Sequence, residues 1–240
     1  MSQKILQLLN SNKTFALNAA VGVALCGLST PVMAVLIGPG QTLSTTGTAP
    51  NEAAILAGGG AILVNTGPQS FAGTDINNNV AFTGELDSTV IADPHNLFAP
   101  GDLDFIYQFT DDANPNNDPI LHFSIASFSG FLTNADYSAG SGTGSNFPTA
   151  VERDSAQNGD TIDFSFPLSS AVAPGTTSVQ LVIETSAAFP SVGLASLQDG
   201  GNVSISAPAP LPVPEPASAA LVGMGLFGLG VRRRAVSRSR

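Results

Sequence analysis

The chain has 240 residues, with eight Lys and Arg, 18 Asp and Glu, one Cys and no Trp. Seven of the eight bases sit at the two ends, and the stretch from Val35 to Pro210 sets Arg153 alone against seventeen acids, a formal charge of about −16. That balance excludes a nucleic-acid-binding surface, which needs clustered Lys and Arg, and the lone Cys26 excludes a disulfide framework or a thiolate metal site in the body.

The chain opens on polar residues with Lys4 and Lys13, followed by the apolar run Phe15 to Leu28. At about fourteen residues that run is short for a membrane span, which needs about twenty. Small residues at Val32 and Ala34 then suit the −3 and −1 pockets of a signal peptidase. This three-part order predicts a secretory signal over residues 1–34. Leu25 precedes Cys26, so the position lacks the small residue that a lipidation site requires.

The body, residues 35–206, shows short runs of β-branched and aromatic residues between Gly, Pro, Asn and Asp. Strands are expected at Ala61–Asn65, Val80–Leu86, Leu103–Thr110, Ile120–Phe128, Thr161–Phe166, Ser178–Thr185 and Asn202–Ser206. In one of them Leu103, Phe105, Tyr107 and Phe109 alternate with Asp104, Ile106 and Gln108, which predicts one dry face and one wet face. No long amphipathic helix is visible. The pattern predicts an all-β fold, an antiparallel β-sandwich of jelly-roll type. Asn134–Asn146 reads as a long polar loop, with Gly and Ser at its centre.

The densest oxygen donors are Asp111, Asp112, Asn114, Asn116 and Asp118. Calcium takes six to eight oxygens from a bent loop, so these five are candidate calcium ligands. The competing reading is a hairpin loop rich in turn formers, since neither a central Gly nor a closing Glu completes an EF-hand. His122 reads as a sheet-face residue and His95 as part of a turn. Two separate histidines without Cys do not make a zinc site. No Gly-x-Ser-x-Gly elbow occurs, so no catalytic residue is assigned and no enzyme is expected. No cofactor is expected, with calcium as the one candidate.

After the body comes a Pro-rich linker, residues 207–216, in which Pro208 to Pro214 reads as an extended spacer and not as central strand. It contains Pro214-Glu215-Pro216. Ala217 to Val231 follows, an apolar helix candidate of about fifteen residues. Arg232, Arg233 and Arg234 head a basic segment, residues 232–240, that acts as a stop-transfer signal and holds that end cytoplasmic. The order predicts export, with a transient inner-membrane anchor at the C-terminal side.

The Pro214-Glu215-Pro216 triplet, the apolar segment, the Arg cluster and the leader together resemble the PEP-CTERM sorting signal. The resemblance implies recognition by an exosortase, a membrane-embedded cysteine transpeptidase that cuts near the triplet. It also implies a Gram-negative host, often one making exopolysaccharide, and delivery to the cell surface or extracellular matrix. The body resembles, more loosely, the β-sandwich domains of such proteins, through the Pro174-Gly175-Thr176-Thr177-Ser178 turn leading into a hydrophobic strand. The expected role is structural or adhesive, with exopolysaccharide as a candidate partner. A calcium-dependent carbohydrate-binding module is the alternative, and a secreted hydrolase a further one.

Overall fold

The structure, a computed structural model, describes residues 36–139 and 144–211. The leader with Val32 and Ala34, the Pro214–Pro216 triplet, the apolar segment and Arg232–Arg234 lie outside the described residues.

The described chain runs β1 (Thr42–Ser44), α1 (Glu52–Ala57), β2 (Ala61–Asn65), β3 (Gln69–Thr74), β4 (Val80–Ala92), β5 (Leu103–Asp111) and β6 (His122–Ile125). It continues with β7 (Thr133–Ser138), β8 (Ala150–Arg153), a 3-10 turn (Ala156–Asn158), β9 (Ile162–Ser165), β10 (Gln180–Thr185), β11 (Pro190–Asp199) and β12 (Gly201–Pro210). Every pair of named strands is antiparallel. The all-β, antiparallel expectation is therefore met.

Hydrogen bonding joins the strands into one sheet in the order β1-β8-β9-β6-β11-β12-β3-β4-β5-β10-β7, with β2 added on β4. The sheet curls into a half-barrel. Its weakest seam is between β12 and β3, where Asn202 opposite Thr74 is the pair in register. The segment around β1 also reaches β7 at the far end of the order. The Ile37 N–H donates to the Thr133 carbonyl at 3.0 Å, and Thr48 bridges Ser138.

The core fills the hollow of the curl, and aromatic rings dominate it. Leu103, Phe105, Tyr107 and Phe109 of β5 all point inward and are fully buried, as their alternation predicts. Phe109 stacks on Phe123 of β6 at 5.7 Å, and Phe105 meets Phe128 edge-on at 5.7 Å. Such pairs add to the stabilisation from burying large rings, about 2–3 kcal/mol each. They also fix how the two sides of the curl face one another.

The other face of β5 departs from the expected wet surface. Asp104 and Ile106 are buried. The short helix α1 lies over them, and its Ile55 packs with Ile91, Ile106 and Val182 in a second, smaller cluster. Asn51 caps this helix, its side chain accepting from the Ala54 N–H at 2.7 Å. Six residues give too little periodicity for a helix to be read from pattern alone.

Two further expectations change. β7 occupies the first part of the expected Asn134–Asn146 loop. Thr133–Ser138 pairs with β10 along its whole length, and this pairing overrides the turn-forming tendency of Asn134 and Asp136. At the other end β12 runs through Ala207, Pro208, Ala209 and Pro210, which composition assigns to the spacer. These prolines are tolerated because β11 is the strand paired with that part of β12.

Candidate functional site

The end of β12 is where the described body meets the Pro-rich linker. The Tyr107 hydroxyl, buried at the core, donates to the Pro208 carbonyl. Burial pushes the Tyr107 phenol well above its ordinary pKa, so it stays a donor at any physiological pH. Beyond Pro210, the Leu211 N–H donates to the Phe189 carbonyl at 3.0 Å. The chain is thus pinned up to Leu211.

The candidate calcium residues fall in the loop from β5 to β6. Asp111 is the last residue of β5 and is fully buried. Its Oδ1 accepts from Asn117 Nδ2 at 2.7 Å, while its Oδ2 is buried with no partner among the described residues. Burial pushes its pKa up to about 6; the Asn117 bond opposes this and the charges of Asp112 and Asp118 add to it. Asp112 and Asn116 are exposed. Asn114 Oδ1 accepts the Asn116 N–H at 3.1 Å, closing a local turn, and the Asp118 N–H donates to the Ala81 carbonyl at 2.8 Å. The orphaned Asp111 oxygen suits a cation. The side chains do not converge, however: among the described residues no three His, Cys, Asp or Glu side chains are placed to share a metal ion. Asn117, outside the candidate set, is the amide that holds the loop closed.

His122 lies exposed on β6, and the fold brings Asp163 and Ser165 of β9 beside it. His122 Nδ1 is 3.2 Å from Asp163 Oδ2 and 3.5 Å from Ser165 Oγ, and Ser165 Oγ donates to the same Asp163 oxygen at 3.1 Å. A Ser–His–acid relay needs serine and acid on opposite ring nitrogens. Here both meet Nδ1, so the trio is a surface hydrogen-bond cluster. His95 sits in the expected turn, its N–H donating to Asp93 Oδ1 at 2.8 Å.

Two arrangements escape sequence reading. The first is Asp136 on β7, whose carboxylate accepts the N–H groups of Thr46, Gly47 and Thr48 at 2.9, 3.1 and 3.2 Å. Burial pushes this carboxyl up, but the bonds from Thr46, Tyr137 and Gly47 outweigh burial and hold its pKa below the ordinary value. Next to it the rings of Tyr137 and Phe147 stack at 5.7 Å and 17°, with Phe147 41% exposed. The second is Asp104, set directly opposite Glu184 across the β5–β10 pair. Neither shows in sequence, because each joins residues tens of positions apart.

Residues 212–234 match the PEP-CTERM protein-sorting motif. No curated protein and no solved structure matches the chain. The match begins immediately after Leu211 and contains the triplet Pro214-Glu215-Pro216 with Arg232–Arg234. The chain carries a PEP-CTERM protein-sorting motif, and the motif implies an exported protein sorted through an exosortase.

Proposed function

We propose that this protein is a non-catalytic structural or adhesive component of the cell surface or extracellular matrix of a Gram-negative bacterium, in association with exopolysaccharide. In this reading a signal peptidase removes residues 1–34. The apolar segment 217–231 then anchors the precursor in the inner membrane, with the Arg cluster cytoplasmic. An exosortase cuts near Pro214–Pro216 and passes the body onward. The body serves as a jelly-roll-like sandwich whose two sides face each other across the aromatic core.

The observation that carries this reading is the sorting motif beginning at residue 212, directly after the strand-bound Leu211. Mass spectrometry of the mature protein from its native host is expected to find an N-terminus near Val35 and a C-terminus near the Pro214–Pro216 triplet. Recovery of the chain with Met1 and Arg240 both attached would overturn it.

The stacked, part-exposed Tyr137 and Phe147 favour a second reading, a calcium-dependent carbohydrate-binding module. Aromatic faces present the apolar side that a sugar ring stacks on, and Asp111 offers a free oxygen to calcium. Glycan-array binding that requires calcium and disappears in Tyr137→Ala would support this reading. Binding to no glycan, together with a melting temperature unmoved by calcium or chelator, would remove it.

A further inference from the structure

The acids of the body are not spread evenly. No Asp, Glu, Lys, Arg or His occurs in residues 53–74, 185–198 or 200–211. Those three segments contain β2, β3, nearly all of β11 and the whole of β12. In the sheet β11, β12 and β3 are consecutive. At one end of them Val64, Gln69, Pro190, Val192, Ala207 and Pro208 line a groove of about 330 Å³. Large apolar side chains stand open around it: Phe189 is 67% exposed and Val192 72%, and Leu194 and Leu211 are about half exposed. Val192 and Leu194 are two residues apart, hence on one face of β11. Leu211 is held beside Phe189 by its backbone bond. An apolar cluster on strands that carry no charge of their own, in so acidic a body, marks an interaction surface.

Its position selects the occupant. Residues 212–216 alone separate Leu211 from the apolar segment starting at Ala217. Fully extended, that spacer reaches at most about 20 Å. With the apolar segment in the bilayer, the β11–β12 end is held within that distance of the lipid headgroups, and the acid-free end is the one that faces them. A second copy adding edge-on is disfavoured at this place, because Pro208 and Pro210 have no N–H to offer a further strand.

We propose that the acid-free end of β11 and β12, bearing Phe189, Val192, Leu194 and Leu211, docks on the lipid surface of the membrane that anchors the precursor. The proposal rests on the reading of residues 217–231 as a bilayer anchor. Docking would hold the body close to the membrane and present the triplet to a membrane-embedded transpeptidase at a fixed height.

The chain has no Trp, so the indole introduced by Phe189→Trp reports on this face alone. The control is Ile76→Trp. Ile76 is 97% exposed in the β3–β4 turn, beside the Thr74–Asn202 pair at the opposite end of β12. The full-length variants are reconstituted with phosphatidylcholine vesicles carrying brominated acyl chains. Indole fluorescence of the Phe189→Trp chain is expected to shift to the blue and to lose about half its intensity to the bromines, while that of the control is unaffected. Vesicle-bound Phe189→Trp chain with unquenched fluorescence overturns the docking proposal and leaves the anchor standing. Chain that does not float with vesicles overturns the anchor and the docking together. A blue shift without lipid, accompanied by a doubled mass in light scattering, assigns the face to a second copy and overturns lipid docking.

Discussion

Replacing Arg153 with alanine is expected to destabilise the body by about 3–5 kcal/mol, among the largest effects of any single substitution in this protein. Arg153 is the sole Lys or Arg between Val35 and Pro210, yet it is buried, with 3% exposure. Its guanidinium meets no carboxylate at hydrogen-bond distance among the described residues. Instead Nε donates to the Gly159 carbonyl at 2.8 Å. Nη1 donates to the Ile37 carbonyl at 3.1 Å and to Thr133 Oγ1 at 2.8 Å. Nη2 donates to the carbonyls of Phe128 and Phe131 at 2.8 and 3.0 Å. One side chain therefore ties the segment before β1 to β7, to the turn after β6 and to the 3-10 turn. Burial lowers its pKa, and the charges of Asp154 and Asp160 oppose that.

The planar fork explains the choice of arginine. Lysine carries three donors on one nitrogen and cannot span carbonyls on several sides. Arg153→Lys is expected to recover only part of the loss. Gly159 belongs to the same design: at φ 75° it is in the left-handed region, and a Cβ there would come within 2.4 Å of Arg153 Nε. Urea unfolding of both Arg153 variants tests the assignment. A loss below about 1 kcal/mol for the alanine variant would show that the network contributes little.

Stability is also expected to fall as pH rises from about 4 to about 8, by roughly 4 kcal/mol, through Asp104. Asp104 is fully buried on the α1-covered face of β5. Burial is the main force on its carboxyl, and the charges of Glu184 and Asp93 add to it, against one bond from Asn96 Nδ2 at 2.8 Å. Together they raise its pKa from 3.8 to about 8. Between those values the folded chain holds a proton that the unfolded chain has released. The stabilising contribution is complete below the unfolded pKa and is lost as pH rises through the folded one. Asp111, Glu184, Asp199 and Asp102, all shifted up chiefly by burial, act in the same direction; Asp136, shifted down, acts in the opposite one.

Asp104→Asn imitates the protonated side chain. The variant is expected to melt higher than the parent at pH 8 and to show a flatter pH profile. Parent melting temperatures that do not change between pH 5 and pH 8, or a variant less stable than the parent at pH 8, would refute the assignment.

Strands with an alternating pattern were legible in sequence. Ile162 to Phe166 alternates apolar and polar residues, Leu103 to Phe109 does so except at Ile106, and β9 and β5 are there. The Ala61–Asn65 run coincides with β2. The Pro174–Gly175 turn is there too, with Gly175 at φ 79°. β1, β3, β7, β8 and β11 were not legible. Thr133–Ser138 holds Asn and Asp, and Pro190–Asp199 opens on Pro and contains Gly. Neither looks like a strand until a neighbouring strand supplies its hydrogen bonds. The candidate calcium loop was legible as a cluster of oxygen donors. Its one buried, unpartnered oxygen was not, because burial of Asp111 depends on the strand that carries it.

Delivery is written in the linear order of residues. The sorting motif at residues 212–234 is read from local composition alone. The β class is written there too, because a period of two along a strand is a local property. Folding was needed to place the isolated Arg153, to keep the proton on Asp104, and to gather an uncharged surface at one end of β11 and β12. Each of these comes from strands distant in sequence lying side by side, and pairing across such distances leaves no mark in the order of residues.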